Sequence, residues 1–389
     1  MTTTQPRPQR IDRLGVLLSA AGAAALIFLP FVVSKANRIV PGDVRSLFDV
    51  LPTWAALAFG VILMLVAATA LGISNARIRL AVALAGVAVV ALAIAAAGTA
   101  LTPPGNRVVR VSPGTGFWVL LIALGLMATD AITRLRPGPG MRILFLVLFA
   151  AIAGAAFAHG TFDNLSIMRE YAVNAGRFAR EARQHVFLAV GSLGAAVVVA
   201  LPIGILCHRV PRIRAGTLGT LNLIQTVPSI ALFGILMVPL GALAAAVPWA
   251  AEHGIRGIGT APAMVALFLY SLLPIVANTV VGLGRVSPAT VEAARGMGLT
   301  NRQILTDIEL ILALPVILTG IRIVLVQNIG LVTVAALIGG GGFGTFVFQG
   351  IGQTAIDLVL LGAIPTVALA FSAAVLLDAL VDVMNRARQ

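Results

Sequence analysis

The chain has 389 residues, of which 59% are hydrophobic and only 11% are charged. A soluble globular domain carries about 25% charged residues, so this composition excludes a water-soluble globule and places the chain in a lipid bilayer. The formal net charge is +13. No basic run is interleaved with aromatic residues, and we interpret the basic excess as a signal of membrane topology rather than as a nucleic-acid footprint.

The first 160 residues predict a bundle of about five transmembrane helices. An uncharged run of about 20 residues is long enough to cross a bilayer as a helix. Such runs, the last two shorter than the others, occupy residues 14–33, 54–73, 80–101, 115–129 and 143–158. They are rich in alanine and nearly free of polar residues, and small residues let helices pack closely in lipid. We therefore predict a scaffolding role for this bundle.

A polar segment at residues 161–185 follows the bundle and predicts an external amphipathic helix lying on the membrane. Its charged residues recur at the spacing of one helix face, and they are Arg169, Glu170, Arg177, Arg180, Glu181 and Arg183. Charges at this spacing usually form only a solvated helix face. A role in binding a partner stays open, because the segment leads directly into the second half of the chain.

The second half, residues 186–389, predicts five further spans of a different kind. They occupy 186–207, 215–251, 257–284, one crossing within 308–357, and 358–377. Polar residues inside these spans are costly in lipid and tend to face a bundle interior or a cavity. We predict that they line a substrate pathway, and the candidates are Gln225, Ser229, Asn278, Arg322 and Asn328. For Arg322, the only formal charge deep in a span, a gating role and an ion pair with a carboxylate on a neighbouring helix are both open.

Ten crossings would place both termini on the same side of the membrane. Short cytoplasmic loops carry an excess of Lys and Arg, and most of the 27 basic residues fall on the side of the termini. The sequence therefore predicts a multi-pass membrane protein with both termini in the cytoplasm. The same orientation places a charged insertion at residues 287–307 in the cytoplasm.

This insertion predicts two short helices separated by a glycine. Ser287 suits an N-cap, Pro288 suits the first helical position, and Gly298 suits the left-handed position just past a helix end. Thr300 and Gln303 then have the spacing of a capping box that starts the second helix.

The first of the two helices has features of a docking surface. Ala293 and Ala294 would leave a flat face for a partner's groove, and Glu292 has the spacing to pair with Arg295. Spacing alone favours an ordinary amphipathic loop helix equally well.

A resemblance separates these two interpretations. The sequence EAA at residues 292–294, followed by Gly298 and by IEL at 308–310, resembles the EAA motif of ABC importer permeases and keeps its spacing throughout. Ile311 stands where that family usually has a proline, whereas Pro315 retains the second proline. We therefore expect a softer bend where the insertion enters the next span.

Further blocks of the second half are similar to permeases for glycine betaine, carnitine, choline and related osmoprotectants. The blocks are residues 224–232, 266–275, 315–322, 328–330 and 335–344. The resemblance covers roughly residues 185–385, and a subgroup of these permeases has extra spans before the core, as here.

The resemblance implies an all-α integral membrane fold with a five-span type I ABC importer permease (MetI-like) core at 186–389 and cytoplasmic coupling helices at 287–307. It implies an ATP-driven importer of a quaternary-ammonium osmoprotectant in the bacterial cytoplasmic (inner) membrane. The residues that would contact the ATPase are Glu292, Ala293, Ala294, Gly298, Thr300 and Ile308. The implied partners are a cytoplasmic ABC ATPase dimer, an external solute-binding protein, and a second permease copy or a paralogue.

The chain itself predicts a non-catalytic subunit. A P-loop needs a lysine beside its glycines, and Lys35 is the only lysine, so ATP and Mg are expected on a separate subunit. Gly339, Gly341 and Gly344 formally satisfy a dinucleotide-binding pattern, but no strand is predicted before them, and a re-entrant turn or close packing is expected instead. No metal-ligand cluster is predicted. The scattered Trp and Tyr residues argue against an aromatic cage, so selectivity is expected to reside in the binding protein.

Two other functions stay open. A permease for methionine or another amino acid would share the fold and the EAA motif. An ion-coupled secondary transporter would need no ATPase, but it would usually carry carboxylates in mid-span, and no Asp or Glu lies at the centre of a predicted span here.

Overall fold

A computed structural model describes residues 12–37, 40–73, 75–106 and 108–386. The predicted placement of the two termini falls outside the described residues. Within them, nine helices are long and apolar enough to cross a membrane, and a further apolar helix, Arg13–Phe28, has 16 residues. The predicted all-α membrane fold is confirmed. The first of the ten predicted spans is present as a helix but falls short of full crossing length.

The described residues form two compact units. The first comprises residues 12–138 and 148–172, and the second comprises residues 139–147 and 173–386. The helices that build the first unit or lead out of it are α1 (Arg13–Phe28), α2 (Leu47–Val50), α3 (Thr53–Gly72), α4 (Ala76–Leu101), α5 (Thr115–Leu135) and α6 (Pro139–Ala158).

Close packing of small residues holds the first unit together. In α4, which packs against α3 and α5, Ala83 and Val90 are fully buried. A methyl group at Gly86 would lie 2.8 Å from the Leu124 side chain of α5. Glycine is therefore needed there for the two helices to approach each other.

A small sheet that the sequence did not predict lies beside these helices. It is antiparallel with the order β2-β1-β3, from β1 (Val32–Lys35), β2 (Asp43–Arg45) and β3 (Arg110–Pro113). The buried Phe31, just before β1, packs edge-to-face on Phe59 at 6.0 Å and Phe117 at 5.9 Å between ring centroids. These contacts anchor the sheet on α3 and α5.

Two arginines and two aspartates tie α1, α4 and α5 together at one end of the unit. Arg79 lies 2.7 Å from Asp12 and 3.1 Å from Asp130, and Arg134 lies 2.7 Å from Asp12 and 2.8 Å from Asp130. Burial raises the pKa of Asp12, but the hydrogen bond from Arg79 and the nearby charge of Arg134 outweigh it and hold that pKa below its ordinary value. Asp12 therefore stays ionised at neutral pH.

Removing the buried member of this cluster should destabilise the first unit. Arg79 is 6% exposed, and loss of one partner from a buried pair costs about 3–5 kcal/mol, with the lower end expected here because Arg134 remains. We expect Arg79→Gln to lower the melting temperature of the detergent-solubilised protein, measured by fluorescence-detected size-exclusion chromatography. Arg142→Gln, which breaks a pair whose side chains are both partly exposed, is the control. Equal melting temperatures for the two variants would contradict the assignment.

The second unit contains the helices of the C-terminal half. They are α7 (Ser166–Arg209), α8 (Pro211–Thr226), α9 (Ser229–Ala246), α10 (Pro248–Glu252), α11 (Thr260–Gly284), α12 (Pro288–Gly296), α13 (Asn301–Gln303), α14 (Leu310–Ala335), α15 (Gly344–Gly352) and α16 (Ile356–Arg386). A π-helical turn, Ile304–Glu309, precedes α14, and a 3₁₀ turn, Ala336–Ile338, follows it.

The structure differs from the predicted separate helix at residues 161–185. α7 begins at Ser166 and runs for 44 residues to Arg209, because no turn sequence interrupts the segment where it meets the apolar run. The boundary between the two compact units falls within this helix, near residue 172.

The predicted run at residues 215–251 is also divided differently. α8 ends at Thr226 and α9 begins at Ser229. Pro228 disfavours helical backbone at Val227, which has φ −67° and ψ 128°. The span at this place is α9, Ser229–Ala246.

The pair α11 and α14 forms the centre of the second unit. A methyl group at Gly282 would lie 3.0 Å from the carbonyl oxygen of Ala313, and one at Gly320 would lie 2.8 Å from Cβ of Asn278. These two glycines therefore set the close approach of the helices.

Candidate coupling segment and transport core

The insertion at residues 287–307 folds as the predicted helix, glycine turn and second helix. Ser287 is extended, with φ −62° and ψ 130°, and Pro288 opens α12, although the Ser287 side chain makes no capping bond. Gly298 has φ +82°. The N–H of Leu299 donates to the Ala294 carbonyl at 3.2 Å, which closes the helix end as a left-handed glycine cap does.

The predicted capping box is confirmed at the start of α13. The N–H of Gln303 donates to Oγ1 of Thr300 at 3.3 Å, and the N–H of Thr300 donates to Oε1 of Gln303 at 2.9 Å. Both groups would otherwise lack partners at a helix start. The caps therefore fix both sides of the turn between α12 and α13.

The predicted coupling residues do not all share one exposed surface. The exposed ones are Glu292, Ala293, Gly298 and Thr300, and Ile308 is half-buried. Ala294 was expected to extend the flat docking face but is completely buried, because α12 needs an inward contact to stay in place. Within the described part of the chain, Glu292 has no ion pair with Arg295. Its carboxylate is therefore left exposed.

The entry into α14 departs from a proline bend. Ile311 is 50% exposed on a continuous helix, and Pro315 is buried. The irregularity lies upstream, where the N–H of Leu310 donates to the Leu305 carbonyl, five residues back. This π-helical turn takes the place of the softer bend that we expected at Ile311.

An ion pair that the sequence did not reveal anchors this turn. Glu309, the last residue of the π-helical turn, is 4% exposed and pairs with Arg209 at the end of α7. The two residues are separated by 100 positions in the chain. The signal available in the sequence is the spacing of acidic and basic residues along one helix face. This spacing indicates only ion pairs between residues three or four positions apart.

Asn328, a predicted pathway residue, lies inside the helix packing. It is completely buried, and its Nδ2 donates to Oγ of Ser192 on α7 at 2.9 Å and to Oγ of Ser271 on α11 at 3.0 Å. Both serines are also completely buried. Asn328 thus joins three helices, and in this chain it faces neighbouring side chains rather than open space.

Gln225 and Tyr270 close the break between α8 and α9. Pro274 has no N–H, so it leaves the carbonyl of Tyr270 without its helical partner, and Nε2 of Gln225 donates to that carbonyl at 2.9 Å. The Tyr270 hydroxyl in turn donates to the carbonyl of Val227.

Of the remaining predicted pathway residues, Ser229 is half-buried at the start of α9. Asn278 is half-buried and donates to the Pro274 carbonyl at 2.8 Å.

Arg322 forms an ion pair with Asp378 on α16. Of the two alternatives that the sequence left open, gating and an ion pair with a neighbouring helix, the structure shows the ion pair. The side chains are 37% and 40% exposed, so neither charge is fully removed from the surface of this chain. The pair joins α14 to α16.

The glycine-rich stretch after α14 is a turn clamped by α7. Gly339, Gly341 and Gly342 have φ of +78°, +79° and +84°. Oε2 of Glu181 accepts from the N–H of Gly342 at 2.7 Å, and Nε2 of Gln184 donates to the Gly340 carbonyl at 3.0 Å. The expected turn and close packing are therefore present. Part of the charged face predicted to be solvated contacts this turn instead.

The described residues form a helical membrane protein with a capped two-helix insertion between α11 and α14, and the comparisons place the chain in a family. Residues 200–388 match the family described as binding-protein-dependent transport system inner membrane component. Residues 12–168 match the family described as ABC transporter permease YehY, N-terminal domain.

Three relatives align with about half of the chain. The osmoprotectant import permease protein OsmW of Salmonella typhimurium is 42% identical over 191 residues, which are 49% of this chain and 84% of OsmW. The carnitine transport permease protein OpuCB of Listeria monocytogenes is 38% identical over 48% of this chain and 78% of its own length. The glycine betaine/carnitine/choline transport system permease protein OpuCD of Bacillus subtilis is 34% identical, over 51% and 81%.

A subunit of the inward-facing MetNI methionine ABC transporter aligns in structure with a TM-score of 0.44 and 21% identity, over 53% of this chain and 95% of its own. The matches of sequence determine the family. The chain belongs to the inner-membrane permeases of binding-protein-dependent ABC transport systems, and it is a multi-pass inner-membrane protein.

The buried amide of Asn328 gives a test of its structural role. We expect Asn328→Leu to destabilise the solubilised protein by about 1–3 kcal/mol, because each interhelical hydrogen bond in a membrane averages ~0.6 and reaches ~1.7 kcal/mol. The paired substitution Ser192→Ala with Ser271→Ala removes the same bonds and should shift the melting temperature similarly. An Asn328→Leu variant that keeps the parent melting temperature and changes only which solute is transported would contradict this role.

Proposed function

We propose that this chain is the transmembrane subunit of an ATP-driven importer that carries a quaternary-ammonium osmoprotectant, such as glycine betaine or choline, into the cell. The relatives that share its C-terminal half support this proposal, because their names describe osmoprotectant, carnitine, glycine betaine and choline permeases. The observation that carries it furthest is the coupling segment. There, exposed Glu292 and Ala293 project from a helix held by caps and by buried Ala294.

The proposed partners follow from what the chain contains. Its single lysine, Lys35, lies without P-loop glycines, so a separate cytoplasmic ATPase dimer would bind ATP and Mg. An external binding protein would deliver and select the solute. A second copy of this permease, or a paralogue, would complete the translocation pathway. With both termini in the cytoplasm, as the basic residues of the loops predict, α12 and α13 would lie on the side of the ATPase.

In the proposed cycle, closure of the ATPase dimer moves α12 and α13 as levers. The π-helical turn passes this movement to α14, and the spans that carry Ser229 and Asn278, α9 and α11, then tilt. Gln225 joins the end of α8 to α11 through the Tyr270 carbonyl. Pro228 and Pro274 supply interruptions in hydrogen bonding, and tilting can occur there without breaking a full helical ladder. Access would switch from the outer to the inner side of the membrane.

Charge reversal on the docking face tests the coupling role. We expect Glu292→Lys combined with Gly298→Asp to lower uptake and binding-protein-stimulated ATPase activity by at least about tenfold, or 1.4 kcal/mol. The reason is that Glu292→Lys reverses the charge presented to the ATPase, and Gly298→Asp puts a side chain on a residue whose positive φ favours glycine. The measurement uses proteoliposomes holding the complete importer. The control is Glu252→Lys, an exposed carboxylate on α10. Full transport by the double variant would exclude the coupling assignment.

Competition identifies the solute. Uptake of labelled glycine betaine is measured with unlabelled glycine betaine, choline or methionine in excess. Inhibition by the first two and none by methionine is the expected result, because the trimethylammonium group is common to both osmoprotectants. Uptake of labelled methionine that exceeds uptake of glycine betaine would overturn the substrate assignment while leaving the ATP-driven mechanism in place.

A further inference from the structure

The ion pair between Arg209 and Glu309 occupies a distinctive position. It joins the carboxyl end of α7 to the last residue of the π-helical turn, between the coupling helices and α14. The Glu309 side chain is 5% exposed, whereas that of Arg209 is 38% exposed. An unpaired buried carboxylate is strongly unfavourable, so Glu309 keeps this contact when the turn moves.

The π-helical turn needs an external contact of this kind. A π-helix widens the backbone ring and is rare, and single π-helical turns in α-helices frequently lie at functional sites. Glu309 and Ile304 are its buried residues, and the exposed Thr306 donates to the Arg302 carbonyl at 3.0 Å. The pair with Arg209 is the ionic contact of this turn within the described residues.

Hydrogen bonds at two further places along α7 join it to α14 and to the glycine-rich turn that follows α14. In the middle of α7, Oγ of Ser192 accepts a hydrogen bond from Nδ2 of Asn328 on α14. Towards the start of α7, Nε2 of His185 lies 3.0 Å from the Ile329 carbonyl, and Glu181 accepts from the N–H of Gly342 at 2.7 Å. From Glu181 to Arg209, α7 rises about 42 Å at 1.5 Å per residue. Pro202 lies inside this stretch and removes one helical hydrogen bond. Ser192 bonds to α14 before Pro202 and Arg209 pairs with the π-helical turn after it, so both parts of α7 are held to the same neighbour and a displacement of one end is passed to the other.

The glycine-rich turn is in turn fixed to α15. The turn leads directly into α15, whose first residue, Gly344, packs against the Thr333 carbonyl of α14 with no room for a methyl group. Gly362 of α16 packs in the same way against the Phe343 carbonyl. Nη1 of Arg177 on α7 donates to Oε1 of Gln349 on α15 at 2.7 Å. Movement of α7 thus reaches α15 through side-chain bonds and a packed backbone.

We infer that Arg209 and Glu309 are positioning residues for transport: they make α7 a second arm of the lever, driven together with α14 and connected to the glycine-rich turn and α15. This inference rests on the proposed function, since it requires an ATPase that drives the coupling segment. Arg209 and Glu309 touch neither the solute nor ATP. They act by passing the movement of the π-helical turn to α7.

The pair Arg142–Asp382 provides a matched comparison. Its atoms are 2.9 Å apart, and its side chains are 32% and 37% exposed. It joins α6 to α16, and neither residue belongs to the π-helical turn. Because Glu309 is buried and both side chains of the second pair are partly exposed, a contribution to stability alone predicts a lower melting temperature for Glu309→Gln with unchanged coupling in the folded protein. The second-arm role predicts loss of coupling, and only at Arg209–Glu309.

The experiment uses the complete importer in proteoliposomes and compares four versions of this permease. They are the parent, Glu309→Gln, the charge exchange Arg209→Glu with Glu309→Arg, and Asp382→Asn. ATPase activity is measured with and without ligand-loaded binding protein. We expect Glu309→Gln to reduce the stimulation ratio about fivefold or more, within the usual range of coupling between sites, while ATPase activity without binding protein stays near that of the parent. Asp382→Asn should leave the ratio unchanged, and the charge exchange should restore part of it.

A second measurement follows α15 directly. Ile351, 59% exposed on α15, is replaced by Cys in a Cys207→Ser background, and its labelling by a membrane-impermeant maleimide is compared with and without ATP. ATP should change the labelling rate in the parent, and Glu309→Gln should abolish the change. An unaltered stimulation ratio in Glu309→Gln, or an unaltered ATP effect at position 351, would overturn the inference.

If the charge-exchange variant does not fold, Glu309→Asp replaces it. A stimulation ratio for Glu309→Asp that lies between the ratio of Glu309→Gln and the ratio of the parent supports the role. A parent that shows no stimulation by any binding protein would instead refute the proposed function, before any variant is compared.

Discussion

Polar groups inside the membrane-spanning helices determine which helices of the C-terminal unit lie together, because lipid offers these groups no hydrogen bonds. Pro274 removes one helical bond, and the exposed carbonyl of Tyr270 is taken by Gln225 from α8. Asn328 requires partners from two other helices and finds them in Ser192 and Ser271. Each bond fixes a register that apolar packing alone would leave free, since an alanine or leucine surface packs acceptably in several positions. The hydrophobic contacts of the unit lie on either side of these polar bonds.

The sequence predicted those features that local chemistry determines. Uncharged runs located nearly every spanning helix, and the capping residues Thr300, Gln303 and Gly298 were placed correctly because each acts on backbone groups within a few positions. Partners distant in the chain were not predictable. The sequence indicates that Asn328 must be satisfied, but a cavity and a neighbouring serine satisfy it equally, and only the packing of α7 and α11 distinguishes them. The pairing of Glu309 with Arg209 was missed for the same reason.

The N-terminal half shows a different limit. Strands of three and four residues are too short to show the alternating pattern on which strand prediction rests, so the sheet beside Phe31 was not predicted. The family match ends at residue 168, whereas the structure groups residues 139–147 with the C-terminal unit, where Arg142 pairs with Asp382. The start of α6 is therefore part of the permease unit in structural terms, and a truncation at a family boundary would divide α6 and α7 from residues that they contact.

The coupling segment depends on contacts outside its own helices. Helices of nine and three residues are too short to be stable in isolation, so caps at the glycine turn and the buried methyl of Ala294 must hold them in shape. Ile311 contributes to the same result. A proline at that position would have no N–H to donate to the preceding turn, whereas isoleucine keeps this donor in the first turn of α14, directly after the π-helical turn. Because Glu309 ends the π-helical turn and pairs with Arg209 of α7, the segment is held by a second spanning helix as well as by α14.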